Sequence, residues 1–318
     1  MATLPNHHLN MLAVEVTTSS NMSCVAKDQV ESIAQTLLKP TGADGVYART
    51  ALFEQIIEGL SIFITRHREP DTEILRFPPV MSRRQLETSG YLHSFPHLLG
   101  CVSCLHGDES DIRTLVERSD WVAGLSATEL VLAPAACYPV YPLAAARGDV
   151  PATGLLFDVA SYCFRREATH EVDRLQAFQM REYVCIGTPE QVLEFRTRWV
   201  SRAEGLAKLL GLTYRIALAS DPFFGRGGRL AALSQLEQSL KFELLIPVQS
   251  EEQPTACMSF NYHRDHFGTA WALRTDNGNT AHTACVAFGI DRLALALFAT
   301  HGLDLQKWPV VVRENLSI

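Results

Sequence analysis

Residues 153–186, TGLLFDVASYCFRREATHEVDRLQAFQMREYVCI, decide the fold. Thr153 to Phe164 reads as one strand and Gln176 to Ile186 as a second, since both are rich in aromatic and β-branched residues. The segment between them is polar and charged, as a loop should be. Side chains two apart in a strand share a face. Arg165 and Glu167 are therefore expected to point one way, and Phe178, Met180 and Glu182 to share a face of the second strand. Side by side, the two strands would set an arginine, two carboxylates and a ring over one surface. That suits a nucleotide, with arginine on a phosphate and a ring on a base. By themselves these residues fit a cross-strand ion-pair ladder on a wet sheet face better. A second stretch, Gly289-Ile290-Asp291-Arg292, runs into the apolar Leu293–Phe298. Asp291 is expected to cap a helix there. Arg292 would then sit where backbone N–H groups also attract anions. The plain alternative is an ion pair of Arg292 with Asp291 or a neighbour. Gly289 reads as a close-approach position between strand and helix.

Working outward, the spacing predicts a helix from Lys27 to Leu38, stopped at Lys39-Pro40. A second is expected from Tyr47 to Arg66, with Leu52, Ile56, Leu60 and Phe63 on one face. Glu73 to Val80 reads as a strand, Ser82 begins a short helix, and Gly90 punctuates it. Glu129 to Ala133 reads as a further strand. Thr188-Pro189-Glu190 should open a long helix to Leu210, because threonine caps and proline fits the first turn. Tyr214–Ala219, Phe242–Pro247, Ala256–Asn261 and Ala281–Phe288 supply later strands. Strands in runs, without regular βα alternation, predict an α+β fold: a large antiparallel β-sheet flanked by helices. Residues 1–25 are expected to be a loose segment and 26–318 a single catalytic domain.

The bulk composition is that of an ordinary globular chain: 318 residues, 47% hydrophobic and 20% charged. A net charge of −7 argues against a general nucleic-acid coat. No apolar run approaches the roughly 20 residues needed to span a bilayer. Residues 1–16 lack a secretory pattern. Eight cysteines scattered through a long chain point to a reducing cytoplasm. Cys101-Val102-Ser103-Cys104, with His106 nearby, lacks the second close pair of a zinc knuckle and reads as two structural cysteines. His7-His8 reads as part of the loose terminus.

Taken together and in order, the two arginine stretches resemble motifs 2 and 3 of class II aminoacyl-tRNA synthetases. From about residue 70 onward the chain most resembles the seryl-tRNA synthetase catalytic domain. Phe77-Pro78-Pro79-Val80, Ser89-Gly90-Tyr91-Leu92 and Phe95-Pro96 match its strand, paired prolines and glycine turn. Leu132–Cys137 occupies its amino-acid-recognising loop. Two departures stand out: no long N-terminal coiled-coil arm precedes the resemblance, and Cys137 replaces an acidic residue. Both fit a smaller group, the amino acid:[carrier protein] ligases. The stretches from Pro254 to His263 and from Ala281 to Phe288 are similar to theirs.

This resemblance implies a homodimeric enzyme that uses ATP and Mg2+ to activate a small amino acid, glycine or alanine. Arg165 and Arg292 would be catalytic. ATP would meet Arg165, Glu167, Arg174, Phe178, Ser259 and Arg292, with Glu252 or Glu251 near magnesium. The amino acid would meet Arg165, Glu182, Ser259 and Asn261, in a pocket lined by Met180, Met258 and Ala287. One Zn2+ per subunit would be held by Cys137, Glu182 and Cys285. The acceptor would be the phosphopantetheine thiol of an acidic carrier protein rather than tRNA. Docking candidates are Arg226 and Arg229, with Arg196, Arg198 and Arg202 on the long helix. A seryl-type aminoacyl-tRNA synthetase and a non-catalytic synthetase-like binding protein are the alternatives.

Overall fold

The computed structural model describes residues 27–118, 121–167 and 171–318. The expected loose segment 1–25, with His7 and His8, lies outside them. The described chain begins with α1 (Lys27–Leu37), β1 (Leu38–Pro40), β2 (Tyr47–Arg49) and α2 (Ala51–Arg66). The second helix therefore starts later than its apolar spacing predicted. Tyr47–Arg49 pairs with Leu38–Pro40 instead, and Thr50 stands at the helix N-cap. The expected strand 73–80 is two, β3 (Glu73–Arg76) and β4 (Val80–Ser82), because Pro78 and Pro79 cannot donate to a ladder. Then follow α3 (Arg83–Thr88), α4 (Tyr91–Ser94), β5 (Cys101–Leu105), α5 (Glu109–Glu117), β6 (Leu125–Leu132) and α6 (Val140–Ala145).

The two strands that bracket the arginine loop are β7 (Leu155–Phe164) and β8 (Ala177–Gly187). Next comes α7 (Pro189–Leu209), where Thr188 and Gln191 form a capping box and Pro189 occupies the first turn. The chain continues through β9 (Arg215–Leu218), α8 (Gly225–Glu237), β10 (Lys241–Ile246), β11 (Thr255–Arg264), α9 (His266–Ala270) and β12 (His282–Gly289). It ends with α10 (Ile290–His301) and α11 (Val310–Leu316).

Seven strands form the central sheet in the order β3-β7-β8-β12-β11-β10-β9. All neighbours are antiparallel except β3, which runs parallel to β7 at the edge. A small sheet, β4-β6-β5, stands apart. Strand alternation assigns each face of the large sheet its own task. Ala284, Val286 and Phe288 of β12 bury into a core built with α1, α2, α7, α10 and α11. Cys285 and Ala287 point the opposite way, toward residues 135–144 and α9. The helix-side core holds Trp199, Phe195, Phe53, Phe63 and Phe298, each worth about 1.5–3 kcal/mol of apolar burial.

One buried ion pair ties the strands to the helix layer. Arg181 of β8 donates through Nε to Asp158 of β7 at 2.8 Å. It also reaches Ser61 O and Thr65 Oγ1 of α2. Among the described residues no helix is long and apolar enough to cross a membrane.

Candidate active site

Strand register brings distant residues into rows on the open face of the sheet. Glu182 stands opposite Ala287, Ala287 opposite Ser259, and Ser259 opposite Glu243. The next row runs Val184, Cys285, Asn261 and Lys241. A cavity of about 510 Å³ lies over these rows, a size usual for small-molecule sites. Arg165, Glu167, Phe178, Ser259 and Arg292 line it, together with Met180, Met258 and Ala287.

Arg165 and Glu167 do not lie in the strand as expected, because β7 ends at Phe164. Arg165 is fixed by other contacts: its Nε donates to Pro134 O at 3.0 Å, and its guanidinium lies 5.6 Å from the Phe178 ring centroid. Arg174 is not among the cavity-lining residues; it pairs with Glu171 at 2.8 Å and Glu167 at 3.6 Å. Arg292 donates to Asp173 O at 2.8 Å and Ala256 O at 3.1 Å, so α10 aims it across the end of β11.

Asp291 is not the helix cap. Gly289 holds that position, and Asp291 lies buried within the first turn. Its Oδ2 accepts from Gln179 N at 2.6 Å, and Arg49 pairs with Oδ1 at 2.8 Å. Burial holds this carboxyl above the ordinary aspartate range even with Arg49 beside it. Gly289 is not a tight spot either, since a side chain there would meet Cys257 O at 3.4 Å.

At the floor of the cavity Cys137, Glu182 and Cys285, all buried, bring one ligand atom each to within 4.8 Å of one another. The loop after β6 is drawn down because Glu182 Oε1 accepts the backbone N–H groups of Ala136 at 2.8 Å and Cys137 at 3.0 Å. Asn261 Nδ2 donates to Cys285 Sγ at 3.3 Å, and His263 Nε2 lies 3.7 Å from the same sulfur. For Cys285 the contact with Cys137, burial and Glu182 all push the thiol well up. For Cys137 the contact with Cys285 pulls it down, but burial and Glu182 outweigh that. Two thiols and a carboxylate gathered in a buried floor form a donor set suited to a divalent, thiophilic ion.

Other expected residues fall elsewhere. Glu251 and Glu252 are exposed and do not line the cavity, because the turn between β10 and β11 carries them outward. Arg198 and Arg202 both pair with Glu69. Arg196 lies under the Phe242 and Tyr262 rings, with Nη1 on Ser239 O at 2.6 Å, so it is turned inward, whereas Arg198 and Arg202 stay partly exposed. Arg226 and Arg229 are exposed on α8. Cys101 and Cys104 are exposed on β5 rather than structural, and form no metal-capable group among the described residues. The site also contains Asp173, Asp221, Lys241, Glu243 and His263, which the sequence reading did not single out. Period-two alternation in β10 could have flagged Lys241 and Glu243.

Sheet, arginine placement and cavity define the catalytic domain of a class II aminoacyl-tRNA synthetase-like protein. Similar solved structures agree. Seryl-tRNA synthetase of M. kandleri, solved with A. aeolicus tRNASec, superposes with a TM-score of 0.81 at 23% identity over 95% of this chain and 62% of that one. The Pyrococcus horikoshii enzyme with ATP gives 0.67 at 15% identity, over 94% of this chain and 64% of that one. No family model matches the chain. Amino acid–[acyl-carrier-protein] ligases 1 and 2 of Bradyrhizobium diazoefficiens are 62% and 58% identical over 92% of it, and it spans 90% and 88% of their lengths. The type-2 serine–tRNA ligase of Methanopyrus kandleri is 30% identical over 84% of the chain, which spans 55% of that protein. The chain belongs to the amino acid–[acyl-carrier-protein] ligase family and is an enzyme.

Proposed function

We propose that the chain activates a small amino acid, glycine or alanine, with ATP and passes it to the phosphopantetheine thiol of an acidic carrier protein. The observation that carries this reading is a single cavity with Arg165 and Arg292 on its wall and Cys137, Glu182 and Cys285 on its floor. In the first step the amino-acid carboxylate, steered by Arg165, attacks the α-phosphorus of ATP, and pyrophosphate leaves. Arg292 holds the phosphate tail; Arg174, paired with Glu171 and Glu167 outside the cavity, would exchange those partners for the tail, and Mg2+ would screen its charge. Phe178 stacks on adenine, and Glu167 accepts from its amino group. Ser259 and Asn261 flank the amino acid. In the second step the carrier thiolate attacks the adenylate carbonyl, giving a thioester and releasing AMP. No side-chain nucleophile is needed, since positioning and charge stabilisation suffice.

Cys137, Glu182 and Cys285 would hold Zn2+, which supplies an open coordination position for the substrate's neutral amine. Two thiolates, a carboxylate and the ion leave a net charge of about −1, so an ammonium is not drawn in merely by charge. Met180 and Ala287 leave room for a small side chain, whereas Met258, opposite Phe288, packs into the helix-side core. An apolar wall separates substrates differing by one methylene by only about 1–3 kcal/mol, so activity with more than one small amino acid is expected. We further propose a homodimer, which light scattering at twice the chain mass would support. Glu251 and Glu252 are exposed and lie off the cavity, so they do not reach the phosphate tail.

The test is amino-acid-dependent pyrophosphate–ATP exchange across all amino acids, followed by loading of pantetheinylated carrier and of tRNA. Exchange with glycine or alanine and loading of the carrier are expected. Loading of tRNA alone would overturn the acceptor, and no exchange with zinc and magnesium supplied would overturn the adenylate step.

A further inference from the structure

Two sulfurs and a carboxylate carry more negative charge than one divalent ion cancels. On a buried floor the excess has to be met by hydrogen-bond donors around the ligands. Three side chains outside the ligand set are placed to do this. Asn261 Nδ2 donates to Cys285 Sγ at 3.3 Å and to Ser259 Oγ at 3.1 Å. His263 Nε2 lies 3.7 Å from the same sulfur, and its Nδ1 lies 3.1 Å from Thr283 Oγ1. With the Thr283 hydroxyl donating to Nδ1, the ring proton sits on Nε2 and faces Cys285.

The third side chain is Tyr141 of α6, which is fully buried. Its hydroxyl has no hydrogen-bond partner among the described residues, although it stands beside Cys137, whose thiol it pulls down. A neutral thiol is a weak acceptor, so the hydroxyl is unsatisfied next to it. A sulfur bound to a cation carries the negative charge that completes the hydrogen bond. The Tyr141 ring is held independently of its oxygen. It stacks on Phe267 of α9 with centroids 3.9 Å apart and planes 10° from parallel, and Phe267 meets the His263 ring edge-on at 5.0 Å. The same aromatic block therefore serves both sulfurs, Tyr141 at Cys137 and His263 at Cys285.

We propose that Tyr141 and His263 are positioning residues for the metal centre, donating hydrogen bonds to the Cys137 and Cys285 sulfurs and so orienting them toward a divalent ion. This rests on the reading of Cys137, Glu182 and Cys285 as a metal site. Tyr141→Phe removes one oxygen and keeps the stacked ring. His263→Phe removes the Nε2 donor and keeps an aromatic ring against Phe267.

The experiment makes three measurements on the full-length parent and both variants. They are zinc affinity by competition with a chelator, the absorption spectrum after cobalt substitution, and the unfolding temperature of the metal-stripped chain. Zinc affinity is expected to fall about 10- to 100-fold in each variant. The sulfur-to-cobalt charge-transfer band should move to longer wavelength, because a sulfur that loses a donor holds its electrons less tightly. Metal-stripped Tyr141→Phe should unfold at the same temperature as the parent or higher, since the hydroxyl it lacks had no partner to lose. Affinity and spectrum unchanged in both variants overturn the proposal. So does a metal-stripped Tyr141→Phe destabilised as much as its zinc affinity is weakened, because the hydroxyl would then support the fold. If His263→Phe does not fold, Tyr141→Phe decides. A parent that takes up no zinc sinks the metal reading, and this role with it, whereas a parent that binds zinc beside unaltered variants sinks this role alone.

Discussion

Glu182 divides its carboxylate between two neighbours. One oxygen holds the Ala136–Cys137 backbone in place, and the group lies within reach of both thiols. It therefore sets the position of Cys137 as well as offering a ligand atom. On the zinc reading, Cys137→Ala removes a thiolate that Glu182 and Cys285 cannot replace. Metal analysis after dialysis should find about one zinc per parent chain and far less in the variant. Full occupancy in Cys137→Ala would refute the ligand set. Strand alternation made half of this site legible, since Phe178, Met180 and Glu182 share a face as their spacing required. Cys137 sits on a loop, far from Glu182 and Cys285 in sequence, so no spacing rule joins them; only resemblance to a family did. Arg165 and Glu167 reach the cavity, but by the turn after β7, which a strand-face argument misplaces. Asp221 and Lys241 come together only through sheet register, a non-local property.

Elements were legible where the signal was local. Thr188, Pro189 and Gln191 start α7 where a capping argument puts it. The start of α2 was misplaced because Tyr47–Arg49 is claimed by β1, a pairing invisible to helical periodicity. Helix α8 was missed because Gly225, Gly227 and Gly228 imitate a loop. Asp291, read as a cap, instead pins α10 to β8 through Gln179 and to β2 through Arg49. Asp291→Ala should let the Arg292 helix start shift, and a displacement of about 1 Å costs up to about 100-fold in rate. Exchange should fall by about 10- to 100-fold with zinc content unchanged; unaltered exchange would show that Asp291 has no positioning role. The Asp158–Arg181 pair joins β7, β8 and α2. For Asp158 burial works against ionisation, but Arg181 and Arg76 win and hold its carboxyl below the ordinary range. A carboxylate depressed in the folded state contributes stability at pH above its unfolded pKa, and loses it as pH falls through the folded value. At pH 7 Asp158→Asn should cost about 3–5 kcal/mol in urea unfolding, because Arg181 is left buried and unpaired. The gap to the parent should close as pH drops below 3.8. A gap that stayed constant between pH 7 and pH 3 would rule out this linkage.

At the scale of the whole molecule, the proposed acceptor poses an electrostatic problem. The chain carries a net charge of −7, and the proposed carrier is acidic too, so the long-range interaction is repulsive. Docking must then depend on a local patch, and exposed α8 offers Arg226 and Arg229 beside Leu230 and Leu233. Arg198 and Arg202 share the single carboxylate of Glu69, so part of their charge is already compensated, unlike that of Arg226 and Arg229. Screening should therefore act oppositely on the two contributions, relieving global repulsion and weakening the patch. At close contact the patch dominates, since the Debye length of about 8 Å at physiological salt exceeds an ion-pair distance but not the span of the molecule. The Arg226→Glu, Arg229→Glu double variant should raise KM for carrier at least about tenfold, chiefly by slowing association. It should leave amino-acid-dependent exchange unchanged, because neither arginine lines the cavity. Added salt should raise KM in the parent and lower it in the variant, where only repulsion remains. Equal salt dependence in both proteins would place the docking surface somewhere other than α8.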